Sequence, residues 1–285
     1  MSPGSQGRWG EDTLSHRAGF ALYLACVLAC ALPGSPPSVL ATGLGAPPTP
    51  ARLDPGQRLV ALPFAVGEEL VFDIGWMGLR AGQASMAVSG QVTRDGHEVY
   101  HITLKAQSSP FLSLFYPVND LGETYLDVRG LYPWYYHLHQ REGTRVARHT
   151  VTFDQKRGLA IYTKNEGTPK EVEVPPEVQD SVSSFYLLRT LPLEVGQPTT
   201  MHTFANGRTH EVVIDILRRE KIDVYWGSVE TLVVRPALRF QEILRQKGDV
   251  LIWLTDDARR IPVQMKTAVK VGTVEAKLID VRGAR

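Results

Sequence analysis

From Val66 to its end the chain alternates apolar and polar positions with the two-residue period of β-strands. Leu70, Phe72, Ile74 and Trp76 share one face of a first strand, with Val71, Asp73 and Gly75 on the other. Met77-Gly78-Leu79-Arg80 turns the chain into a second strand, Ala81 to Val92, rich in small residues such as Gly82, Ala84 and Ala87. Arg94-Asp95-Gly96-His97 carries the Asp-Gly pair favoured by type I′ hairpins, and Val99 to Gln107 returns as a third strand. The same pattern predicts strands at Leu121–Val128, Tyr132–Arg141, Val146–Phe153, Leu159–Thr163 and Glu171–Val174. Further on it predicts Thr199–Ala205, an Asn206-Gly207 hairpin turn, Arg208–Arg218, Asp223–Trp226 and Val229–Arg239.

The stretch Gly248 to Leu278 reads as three consecutive strands joined by tight turns. Val250 to Thr255 is apolar enough to be buried on both faces. Asp256-Asp257-Ala258-Arg259 breaks it, Ile261 to Val269 resumes the alternation, and Val271-Gly272-Thr273 turns into the last strand. Trp253 is read as core, and the charged turn around Asp256 and Arg259 as a solvated tip whose Asp–Arg pairs contribute little.

Two segments break the period. Ser108 to Pro117 has proline near both ends and apolar residues between, which predicts a short helix or Ω-type loop plugging one end of a curved sheet. Pro175-Pro176-Glu177 precedes Val178, Val182, Phe185 and Leu188, a stripe with helical spacing that predicts a helix to about Leu191. That helix divides the strands into halves, forming either a pseudo-repeat or a single sheet with a covering helix. Because most strands neighbour in sequence, the fold class is mainly β: a large antiparallel, strongly curved sheet or open barrel of roughly a dozen strands, with one central helix and one short helical plug.

The first 60 or so residues differ from the rest. Ala18 to Leu32 is an uncharged apolar run of about 15 residues, which suits a signal-peptide core and falls short of the ~20 that span a bilayer. Ala29-Cys30-Ala31 fits cleavage by ordinary signal peptidase, whereas Val27-Leu28-Ala29-Cys30 resembles a lipoprotein box with Cys30 as the acylated residue. A buried or spanning hydrophobic helix is the third reading. Glu11 and Asp12 offset the arginines before the run, so Met1 need not be the true start. Residues 32–63 are rich in proline and glycine and read as an extended linker. The expected organisation is therefore a signal peptide over 1–31, a disordered linker over 32–63 and one β-rich domain over 64–285.

A net charge of +1 provides no basic field for nucleic acid or for an anionic membrane. A hydrophobic content of 43% is enough for a real core. Both cysteines lie in the targeting segment, leaving none in the domain for catalysis or metal binding. Gly-x-Ser-x-Gly elbows and glycine-rich phosphate loops are absent. Adjacent acids such as Glu68-Glu69 point to opposite faces of a strand and make no acid–base dyad. His137 and His139 share a strand face, with His149 one hairpin away, and surface or core packing is the commoner role for such a pair. Neither a cofactor, a metal nor a catalytic residue is assigned. An aromatic set spread over many strands remains, including Phe111, Phe115, Phe185 and Trp226, and within it Trp76, Tyr125, Trp134 and Trp253 are the candidate ligand contacts.

Four pieces in order resemble the bacterial domain-of-unknown-function 3108 family. They are Gly67-Glu68 with Leu70 to Ile74 and Gly78 to Gly82, then Phe115 to Asp120, then Asp180 with Phe185 to Arg189, and finally Trp253 to Val263. The resemblance covers about residues 64 to 281 and implies an exported envelope protein of Gram-negative bacteria, without an activity to carry over. Asp180 and Arg189, nine residues apart or ~13 Å of helical rise, cannot pair with each other, and each is expected to anchor the helix to the sheet.

The expected function is a non-enzymatic protein of the periplasm or outer membrane that binds a lipid, another apolar ligand or an envelope partner through its curved sheet. Membrane association is expected only through the N-terminal anchor. The rivals are a structural or assembly factor docking on another envelope protein, and a metal-dependent hydrolase built on His137 and His139.

Overall fold

The computed structural model describes residues 62–240, 243–244, 250–269 and 272–283. The signal peptide over 1–31, Cys30 and all but the last two residues of the 32–63 linker lie outside the described residues. Among the described residues fifteen strands form one antiparallel sheet, and its spatial order explains the shape. β1 (Glu69–Trp76), β2 (Leu79–Arg94), β3 (His97–Ser108), β4 (Asn119–Asp127), β5 (Pro133–Glu142), β6 (Arg145–Asp154), β7 (Leu159–Lys164) and β8 (Lys170–Glu173) run outward as a meander. The second half starts at the far edge with β9 (Thr199–Ala205), β10 (Arg208–Val224) and β11 (Gly227–Phe240). It then returns through β13 (Val250–Thr255) and β14 (Pro262–Ala268) to β15 (Thr273–Arg282), which pairs with β1; the two-residue β12 (Ile243–Leu244) pairs with β11 alone. The halves are thus one continuous sheet.

The hairpin turns follow their residues. Asp95-Gly96 and Asn206-Gly207 both take positive φ at each position, as a type I′ turn requires. Strands predicted separately at Arg208–Arg218 and Asp223–Trp226 are one long strand, β10, in which a register shift between Ile216 and Arg218 absorbs the break in alternation. On β2 the small residues serve a tight bend. A Cβ on Gly82 would lie 2.2 Å from the carbonyl oxygen of Gln107, so only glycine lets β2 run this close to β3.

The sheet curls until its two edges approach without sharing a ladder, Phe153 and Tyr162 of the first half packing edge-on against Phe204 of β9. The chain after β8 spans this seam. Val174 donates its N–H to Gly158, and Gln179 exchanges backbone hydrogen bonds with His202 and Phe204. This corrects the predicted helix start. Gln179 spends its backbone groups on the seam, Glu177 holds φ of 58°, the Asp180 and Val182 N–H groups go to side chains, and the helix α2 runs only over Ser183–Thr190. Val178 and Val182 of the predicted stripe are buried nonetheless, because the segment enters the interior before it becomes helical.

Helix α2 lies on the concave side of the sheet, with Ser183, Ser184, Phe185, Tyr186, Leu188 and Arg189 all buried. A short helix, α1 (Pro110–Ser113), sits where the plug is expected, and Ser109 caps it by accepting the Leu112 N–H. It covers the end of the sheet from outside, with Leu112 packed against the edge of the core. None of its residues is buried, and Phe111, Leu114 and Phe115 face outward. Helix α2, by contrast, is buried among the core residues.

Candidate functional site

The interior is occupied by a packed core and a buried polar frame. Asp180 sits in the turn ahead of α2, where its Oδ1 accepts the N–H groups of Val182 and Ser183 and its Oδ2 accepts the Thr124 hydroxyl of β4 at 2.5 Å. Complete burial pushes its pKa up to about 6 in spite of those donors. At the other end of the helix Arg189 donates to both carboxylate oxygens of Glu68, at 2.6 and 2.9 Å. The same guanidinium donates to the carbonyls of Pro63 and Arg259, so one buried cation ties α2, the entry of the chain and the β13–β14 turn together. Glu68 has no signal of this role in the sequence, because its partner lies 121 residues away.

The β13–β14 turn is accordingly more than a solvated tip. Asp256 pairs with Arg219 of β10 and with Arg260, and these bonds hold its pKa below the usual carboxylate range. Arg259 pairs with Asp257 while its carbonyl is held by Arg189. Thr255 accepts the Ile261 N–H, and both residues are buried.

The four candidate aromatic contacts are not brought together. Tyr125 stacks on His101 at 4.7 Å and lies under Arg94, which also covers Tyr135. Trp134 stacks on His97 at 3.6 Å and donates its indole N–H to Asp127. Trp253 is buried on β13, opposite Val233 and Gln264, with the Lys266 ammonium over its ring. Of the four, Trp76 lines a cleft. Of the histidines in the rival reading, His137 faces Glu123 at 3.6 Å, and Glu123 also holds His101 at 3.1 Å. Among the described residues no three metal-ligating side chains converge.

This cleft of about 230 Å³ lies at one end of the sheet. Trp76, Leu79, Ala81, Phe111, Leu112 and Phe115 line it, with Arg80 at its edge. Three elements build it: the end of β1, the start of β2 and α1. The helix is tied to β2 by the Ser109 N–H donating to Ala81 and the Ser109 hydroxyl donating to the Arg80 carbonyl. Around the cleft the surface is unusually apolar. Met77 is 61% exposed, Leu79 61%, Phe111 62%, Leu114 78% and Phe115 74%. Met77 takes φ of 51° in the β1–β2 turn, a conformation large apolar residues rarely adopt, and Gly272 leaves room for its side chain. Periodicity points Trp76 inward; only the fold shows that α1 turns outward and makes an apolar surface with it.

Beneath this end lie two more groups that periodicity does not reveal. Asp120 is the second residue of β4 and Glu142 ends β5; both are buried, and Asp120 Oδ2 and Glu142 Oε1 have no protein donor among the described residues. Burial raises both pKa values, Asp120 to about 7, so a proton shared between them satisfies the pair.

A family model described as "Protein of unknown function (DUF3108)" matches residues 71–279. A solved structure of a β-barrel-like protein of domain of unknown function DUF1849 from Brucella abortus has a similar fold, with a TM-score of 0.51 at 9% identity over 76% of this chain and 97% of that one. A candidate lipoprotein of Parabacteroides distasonis aligns at 10% identity over 77% of this chain and 97% of that one, with a TM-score of 0.33 that carries no argument. No curated protein matches the chain.

Proposed function

The chain belongs to the DUF3108 family of proteins of unknown function, and we propose from its own geometry that it is an exported, non-enzymatic binding protein of the cell envelope. Its ligand is an apolar group, such as a lipid chain, held at the end of the sheet where β1, β2 and α1 meet. One observation carries this reading. The concave side that a curved sheet would offer to a ligand is filled by α2, whereas the cleft beside Trp76 is open and walled by apolar side chains. The apolar run at Ala18–Leu32 and the Pro-rich stretch after it support export and a tether. A binding role is supported further by the ionised groups of the interior, Glu68 and Arg189, which are spent on holding elements together.

The test is extraction and mass spectrometry of apolar molecules from protein purified out of membranes. The wild-type chain is expected to carry a reproducible lipid-like species, and Trp76→Ala with Phe111→Ala to lose it while retaining the wild-type circular dichroism spectrum. A wild-type protein that is empty, or a double variant that keeps the species, overturns the assignment. The alternative, an assembly factor docking on another envelope protein, gains from Leu114, which projects beyond the cleft walls.

A further inference from the structure

We propose that the same end of the sheet rests on an anionic lipid leaflet, with Met77, Leu79, Phe111, Leu114 and Phe115 inserted among the acyl chains. The inference rests on the binding site assigned above and names the surface from which that site is loaded.

The exposed apolar side chains come from two separate segments, the β1–β2 turn and the α1 region, and converge at one end of the molecule. Met77 and Leu114 lie outside the cleft lining, so a ligand in the cleft does not explain their exposure. An apolar patch interrupted by side chains that project outward suits a fluid acyl layer, into which each can insert separately.

Charge selects the kind of leaflet. Asp73 is paired with Arg80 at 2.5 Å, and Glu275 with Lys266 and Lys277 at 3.1 and 3.4 Å. Asp120 and Glu142 are buried beneath this end and share a proton, since burial raises both pKa values even though Arg145 acts to lower that of Glu142. Arg141 and Arg145 stand exposed where β5 turns into β6. That turn adjoins α1, since a Cβ on Gly143 would meet the ring of Tyr116 at 3.1 Å and the Gly143 N–H donates to Pro117. Apolar side chains bordered by arginines complement acyl chains below anionic headgroups. The chain enters the domain at Phe64 and Gly67, beside the β1 residue Glu69, which pairs with Arg282, whereas the tip lies at Trp76, opposite Val274. The tip is therefore a contact separate from the N-terminal anchor read from the sequence.

The experiment is flotation of the full chain with vesicles of phosphatidylcholine alone and of phosphatidylcholine with phosphatidylglycerol. Met77→Asn/Leu114→Ser removes two inserted side chains outside the cleft, and asparagine tolerates the positive φ at position 77. Arg141→Gln/Arg145→Gln removes the cations. The wild-type chain is expected to bind the phosphatidylglycerol vesicles roughly tenfold more tightly than the neutral ones. The apolar variant should lose about tenfold on both, and the arginine variant only the preference for anionic vesicles, each with an unchanged melting temperature. Equal binding by wild type and the apolar variant overturns the proposal, as does equal binding of the wild-type chain to neutral and anionic vesicles. The two readings fail separately. A chain that carries lipid but ignores the tip substitutions on vesicles sinks only the leaflet contact, and an empty chain that still floats through the tip sinks only the ligand site.

Discussion

Replacing Arg189 by methionine should be among the most damaging single changes in the chain. The guanidinium gives Glu68 hydrogen bonds of 2.6 and 2.9 Å and serves the carbonyls of Pro63 and Arg259, all at a place where Arg189 and Glu68 are almost completely buried. Methionine fills similar volume but leaves the Glu68 carboxylate without a counter-charge. Breaking a buried pair from one side costs about 3–5 kcal/mol. The two carbonyls that lose a donor add to this, so about 4 kcal/mol is a conservative figure. With a urea dependence of about 2–3 kcal/mol per molar, the unfolding midpoint should fall by about 1.5 M, and the melting temperature by roughly 10 °C. The double variant Glu68→Gln/Arg189→Met removes both charges together. If the cost of the single change is mostly the stranded carboxylate, the double variant should recover about 2 kcal/mol or more. Urea unfolding followed by circular dichroism measures all members of the cycle. A loss under about 1 kcal/mol for Arg189→Met, or strictly additive single changes, would refute the reasoning that one buried cation holds helix, entry segment and hairpin together.

Stability should also depend on pH through Asp120 and Glu142. Burial raises both, Asp120 to about 7, so the folded state binds more protons than the unfolded chain above the ordinary carboxylate range. The Asp120 contribution is complete below about pH 4 and is lost as pH rises through about 7, and that of Glu142 runs in the same direction. His149 opposes this: burial lowers it to about 4, so its contribution is present above the ordinary imidazole range and is lost as pH falls through about 4. The comparison of wild type with Asp120→Asn isolates the carboxyl pair, and urea midpoints should converge at pH 5 and favour the variant at pH 8; a constant difference across that range contradicts the shared proton. Trp253→Ala removes a buried ring between Val233 and Gln264 and should cost about 3–5 kcal/mol by the same assay. A variant that melts like the wild type while losing its ligand would return Trp253 to the site.

Strand periods, Asp-Gly and Asn-Gly turns and the closing hairpin were legible because each depends on neighbours a few residues apart. An open barrel was legible as a fold class, but how its two edges are bridged was not. The path from β8 to β9 is set by long-range backbone bonds at Val174 and Gln179, which override the helical spacing of Val178 and Val182. The proposed cleft was half legible. Trp76 and Phe111 were named from their aromatic character, yet Tyr125, Trp134 and Trp253 share that character and went elsewhere in the fold. Composition alone does not tell a ring that fills the core from one that is left outside it.

Local sequence therefore determined which segments are strands, where they turn, and which face of each strand is apolar. Tertiary structure alone decided that α2 occupies the concave side, because that outcome depends on Asp180 reaching Thr124 and Arg189 reaching Glu68 across long stretches of chain. With α2 buried among the core residues, α1 stays outside, and its apolar side chains must either meet solvent or find another apolar phase.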